Sequence, residues 1–220
     1  MDMNLDNMAK LLEKMTFEDA DLTALATNAV DYAKDVAAHG DTAFLPIAHV
    51  VCIPLNDCDK RENVCVAFAD LPDNSDDRAK AFAGLGASLV EQGLLPLAIV
   101  FSSEAWMSVV KAEDDDGNPI TPEITGRPSE DPNRIEIHAV TGMTSQRRSV
   151  VAFHEMRRKT DNTIVLVEYG KDNLVVSNGS TGESRLLHSF FAGTKDAVMR
   201  RMLQSLLKGC DDEPATDDEG

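Results

Sequence analysis

Four stretches rich in apolar and β-branched residues follow one another at close spacing: Arg134–Val140, Ser149–Arg157, Thr163–Tyr169 and Asn173–Val176. The segments between them are too short to carry a crossover helix, because parallel neighbours need a connection of about a dozen residues or more. These strands must therefore pair antiparallel. Thr160-Asp161-Asn162 supplies the turn residues for a tight hairpin between the second and the third.

The rest of the chain reads in the same terms. Ala43–Ile53 and Val64–Ala69 form a hairpin through the polar loop 56–62. Leu97–Ser103 is apolar without interruption, the pattern of a central strand, and a strand is also expected at Leu186–Phe191. Apolar residues at 5, 8, 11, 12 and 15 have helical spacing. Thr16, followed by Glu18 and Asp19, is the expected cap of a second helix that runs to about Ala38 and stops at Gly40. This helix turns Leu22, Leu25, Ala26, Val30, Ala33 and Val36 inward. A third helix follows Pro72–Asp77 and reaches Gln92, burying Phe82, Leu85, Leu89 and Val90. Gly84 and Gly86 within it each lower helix propensity by ~1 kcal/mol. Close packing against another backbone would account for them, and a kink is the rival account. Thr194 is expected to cap a last helix, Lys195–Lys208.

The expected fold is α+β: a mostly antiparallel sheet of about five to eight strands with helices packed on one face, two helices being N-terminal and one C-terminal. Residues 1–40 form a helical segment, 41–209 the α+β domain and 210–220 a disordered acidic tail. The order of elements resembles roadblock, longin and profilin-like modules. That resemblance implies a binding scaffold.

Charge narrows the partners. The chain carries a net charge of −17, yet residues 134–209 hold 12 basic and 7 acidic side chains, so the last third is basic within an acidic protein. Binding to nucleic-acid phosphates is disfavoured by the whole-molecule charge. No apolar run is long enough for a transmembrane helix, and the acidic N-terminal residues lack the features of a signal peptide, so a cytoplasmic location is expected, the host's if the gene is viral. The four cysteines form no CxxC pair; Cys52 and Cys65 lie in apolar strand patterns and are expected as buried, reduced thiols.

One region concentrates unusual residues. Phe101-Ser102-Ser103-Glu104-Ala105-Trp106-Met107 ends the central strand with the only tryptophan, and Pro128-Ser129-Glu130-Asp131-Pro132-Asn133-Arg134 opens the next strand. Between them lies a polar stretch, 111–131, of the length that is usually functional or disordered. If the two strand ends are neighbours, Glu104 approaches Arg134. Glu104, Trp106, Ser129, Asp131 and Arg134 are the candidate binding residues. A buried ion pair, a ligand or partner pocket anchored by Trp106, and general-base chemistry at Glu104 all fit that arrangement. The spelling Ser-Glu-Ala-Trp-Met, then Pro-Ser-Glu-Asp-Pro-Asn-Arg, resembles a family of uncharacterised bacterial and phage proteins over roughly residues 95–160. No activity is attached to that family.

Other constellations point away from catalysis. His138, His154 and His188 fall in expected strands but need not share a face, and no HxH, HExxH or Cys–His spacing occurs, so neither a metal nor a cofactor is expected. The acidic run 113–116 with Glu123 fails as a calcium loop, because Ala112 would stand at the first ligand position. A nucleophile at Ser102 or Ser103 has no marked base. Arg147, Arg148, Arg157, Arg158 and Lys159 bracket one strand as a candidate basic surface. They could equally pair with Glu136 or Glu155 and keep strand ends soluble. The leading expectation is a non-enzymatic interaction protein of bacterial or phage origin that binds a protein partner or itself. The alternatives are an enzyme centred on Glu104 and Arg134 and an acidic nucleic-acid mimic.

Overall fold

The computed structural model describes residues 16–40, 43–108, 130–168, 174–178 and 184–211. The expected first helix over 4–15, most of the loop 111–131 and nearly all of the acidic tail lie outside these residues. Elements follow in the order α1 (Asp19–Ala38), β1 (Ile47–Pro54), β2 (Glu62–Ala67), α2 (Ser75–Glu91), β3 (Leu94–Ser108), β4 (Arg134–Thr144), β5 (Arg148–Arg158), β6 (Ile164–Glu168), β7 (Leu174–Asn178) and α3 (Arg185–Asp211).

All seven strands join one sheet in the order β2-β1-β3-β4-β5-β6, with β7 also pairing β5. Every pairing is antiparallel. β6 and β7 divide the outer edge of β5: β6 takes His154–Arg158 and β7 takes Arg148–Ala152. β3 is central, and it runs five residues beyond the expected end at Ser103, carrying Glu104 and Trp106 within the strand.

Helices cover both faces of the sheet, not the single face expected. Successive residues of a strand point to opposite sides. On β3, Ala98 and Val100 pack in one cluster with Leu22, Ala26, Ala29 and Val30 of α1. Ile99 and Phe101 pack in the other, with Phe82 and Leu89 of α2 and Leu187 and Phe190 of α3. Such a central strand needs cover on each side, and a single helical layer could not bury it.

Two further corrections concern α3 and the caps. Leu186–Phe191 is helical and continuous with the last helix, and Thr194 is an internal residue whose hydroxyl bonds the Phe190 carbonyl at 3.0 Å. His188 is therefore on a helix. The buried residues Leu187, Phe190, Thr194 and Ala197 follow helical spacing. Gly193 sits where α3 crosses α2, and a Cβ there would stand 2.0 Å from the Ala83 carbonyl oxygen; one at Gly86 would stand 2.2 Å from the Phe190 carbonyl oxygen. Close backbone packing thus accounts for Gly86, whereas Gly84 has nothing within 4 Å. In α1 the cap position is Glu18, and Thr16 instead accepts a hydrogen bond from Arg61 through its carbonyl. In α2 the Asn74 side chain caps by accepting from the Asp77 amide at 2.7 Å.

Candidate functional site

The β3–β4 register places the residues of the strand tip. Glu104 lies opposite His138, Trp106 opposite Glu136 and Ser108 opposite Arg134. All share the face that α1 covers, by the alternation that puts Val100 there. Trp106 and Arg134 meet: the guanidinium carbon lies over the indole, 4.7 Å from its centroid. Asp131 accepts the Asn133 amide at 2.8 Å. That bond, a second from the Ser108 side chain and the nearby Arg134 charge hold its carboxyl below the usual range. Ser129 lies outside the described residues.

Glu104 does not pair with Arg134. Arg134 lies four positions along β4 from His138, the residue facing Glu104, a distance of about 13 Å. The carboxylate is used otherwise. Its Oε1 accepts the Phe44 amide at 2.8 Å, and its Oε2 stands 3.6 Å from Nη2 of Arg158. Arg158 in turn forks onto Glu136 with contacts of 2.9 and 2.6 Å. Glu104 therefore ties the segment before β1 to the middle of the sheet, and its cation comes from β5.

The basic residues do not form one surface. Arg147 and Arg148 stand at one end of β5, Arg157, Arg158 and Lys159 at the other, some 30 Å apart along the strand. Arg148 is paired with Asp19 of α1. Arg157 forks onto Glu155 at 2.8 and 3.0 Å.

Sequence reasoning missed a row of polar groups across the sheet. His138 faces Glu104 on one side and His154 on the other, and His154 faces Glu168. Both imidazoles are buried, and Nδ1 of each has no hydrogen-bond partner among the described residues. Burial pushes His138 down to about 4, with His154 adding to the shift, and lowers His154 as well. Both are neutral near pH 7. The two histidines alternate in phase with residues that do face α1, but only the strand register puts them side by side.

His138 also lines a cavity of about 250 Å³. Tyr32, Ala33 and Val36 of α1 form one wall, Ala43, Phe44 and Leu45 a second, and Ser102 and His138 the floor. The Phe44 ring stands 5.0 Å from the His138 ring, tilted by 52°. Among the described residues Ser102 does not hydrogen-bond Nδ1 of His138. A second cavity, of about 200 Å³, lies between α1 and the β1–β2 edge and includes His49, whose Nε2 is also buried without a partner among the described residues.

Among the described residues no three His, Cys, Asp or Glu side chains form a metal-binding group. No described helix is long and apolar enough to cross a membrane. Cys52 is buried and its thiol is pushed up to about 12, whereas Cys65, on the outermost strand, is exposed rather than buried as expected. No protein-family model, no curated protein and no solved structure matches this chain.

Proposed function

We propose that this chain is a non-enzymatic interaction protein that binds a protein partner, or a second copy of itself, through the Trp106 side of its sheet. The observation that carries this reading is an indole that is 44% exposed yet fixed in orientation by Arg134. A cation–π contact at such a site contributes about 0.5–1 kcal/mol, enough to favour one orientation of the ring. Pre-positioned tryptophan and arginine side chains are the commonest anchors of protein interfaces. Tyr32 and Leu45, 50% and 61% exposed, add apolar surface on the same side of the sheet. Glu104, the carboxylate that a catalytic reading would use, has both oxygens engaged, which favours binding over chemistry.

Light scattering on size-exclusion fractions, together with capture from the native host, tests the proposal. Wild type should associate with itself or retain a partner. Trp106→Ala should lose that association while its unfolding free energy changes by less than about 1 kcal/mol, as befits a half-exposed side chain. A strictly monomeric wild type that retains no partner overturns it.

A further inference from the structure

β2 is an outermost strand of the sheet, and among the described residues it pairs with β1 alone. The Phe68 amide donates to the Pro46 carbonyl at 2.9 Å, and Ile47 stands opposite Ala67. Antiparallel strands alternate between pairs that exchange hydrogen bonds and pairs that do not. Val66, Val64 and Glu62 therefore direct their N–H and C=O groups at β1, whereas Asn63, Cys65 and Ala67 direct theirs away from the sheet. All three of the latter residues are exposed. Edges that must stay unpaired are blunted by charge, proline or a bulge. Asn63–Ala67 contains no charge and no proline, and its register with β1 runs without a shift.

The surroundings define what fits there. Asn63 and Cys65 line the cavity of about 200 Å³ whose opposite wall is Leu25, Asn28 and Ala29 of α1. A strand added beyond β2 would stand about 5 Å away, and its residue opposite Cys65 would face the same side of the sheet. That side chain would lie next to the cavity. Charge sets the rest. Glu62 is exposed at one end of the edge, and Asp70 and Asp73 are exposed beyond the other. Arg61, the preceding residue, is engaged with Asp21 and the Thr16 carbonyl. The edge thus favours basic residues on either side of an uncharged centre. A second copy fits poorly, because antiparallel self-pairing about Cys65 brings Glu62 of one copy towards Asp70 of the other.

We propose that β2 takes an extended segment of a partner protein as an added strand, uncharged at its centre and basic at both ends. Backbone hydrogen bonds to Asn63, Cys65 and Ala67 hold it. This surface is separate from the Trp106 side. β1 stands between β2 and β3, and Trp106 lies beyond Ser102, where the β1–β3 pairing ends.

The probe is the peptide Lys-Lys-Thr-Val-Thr-Val-Thr-Lys-Lys, fluorescently labelled and titrated into the full chain. Binding should saturate, and saturating peptide should slow the alkylation of Cys65 by iodoacetamide, mapped by mass spectrometry. Methylating every central backbone nitrogen of the peptide, or replacing its lysines by glutamates, should weaken binding at least about tenfold. Cys65→Pro deletes an outward N–H and leaves the ladder to β1, a position where an edge strand tolerates proline. It should weaken binding to a similar degree. Should that variant fail to fold, the surface substitutions Glu62→Lys and Asp70→Lys together should weaken the lysine peptide and favour the glutamate one. Trp106→Ala should bind the peptide as wild type does, so this proposal and the Trp106 reading fail separately. No saturable binding, equal affinity for either altered peptide, or loss of peptide binding in Trp106→Ala would each overturn the proposal. So would unslowed alkylation of Cys65, or protection of Cys65 that rises with protein concentration instead of peptide, the mark of a second copy.

Discussion

The two faces of the sheet are built on different terms. Against α2 and α3, Phe82 stacks on Phe68 with centroids 5.4 Å apart and meets Phe101 edge-on at 5.0 Å, while glycines let the two helices touch backbone to backbone. Against α1, the helix meets alanines and valines together with His49, His138 and His154, each with a ring nitrogen unpaired among the described residues, and both cavities lie there. Interiors at close-packed density have no room for a ligand. Ring nitrogens sealed from water without a partner among the described residues are instead a packing cost. One sheet is thus close-packed on one side and leaves cavities on the other.

The sharpest break in the comparison would come from crowding the helix crossing. Gly193→Val forces a side chain against the Ala83 backbone and should cost roughly 3 kcal/mol or more in urea unfolding, the upper range for overpacking. An effect below about 1 kcal/mol would mean that α2 and α3 can separate freely, and the rigid face would not be rigid.

Acid should act on the other face. His138 titrates near 6.5 when unfolded and about 4 when folded, so between those values the unfolded chain binds more protons. The stability this imidazole contributes is complete above pH 6.5 and is lost as pH falls towards 4. The loss is on the order of 3 kcal/mol. His154 and His49 shift in the same direction. Unfolding curves from pH 7 to 4 on wild type and His138→Phe check this; the variant should show a shallower fall, and parallel curves would remove His138 from the account.

Glu104→Gln probes the tie between the α1-covered face and the segment before β1. The amide oxygen can still accept from the Phe44 N–H, and Arg158 keeps Glu136, so only the longer ionic contact is lost. About 1 kcal/mol of destabilisation is expected, with association unaltered. A fully stable variant that no longer associates would instead place Glu104 in the binding surface. The smallest effect should be a gain: Gly84→Ala, with open space around the new methyl group, should stabilise the helix by about 0.5–1 kcal/mol in the same urea assay.

Much of the frame was legible from spacing alone. The central strand, the β1–β2 hairpin, the turn at Asp161-Asn162 and the helix stop at Gly40 are local signals; each exists as indicated, with strand ends displaced by up to five residues. Leu186–Phe191 misled because a short apolar run has no period of its own, and the Gly193-Thr194 pair imitates a helix start. Its period emerges only when Thr194 and Ala197 are read with Leu187 and Phe190. The strand tip was legible as a place but not as a set of partners. Trp106 does meet Arg134, whereas Glu104 finds Arg158 and Phe44, residues 54 and 60 positions away.

The sequence by itself determined most of the strand and helix segments, Leu186–Phe191 excepted, that neighbouring strands run antiparallel, and where the chain turns, because these follow from periodicity and turn chemistry within a few residues. Only the tertiary structure decided which face each helix covers, that His138 stands between Glu104 and His154, and that a cavity is lined by His138. The physical reason is register: in a sheet the partner of a side chain is set by how distant strands slide into alignment, and shifting that alignment by one residue sends every side chain to the opposite face.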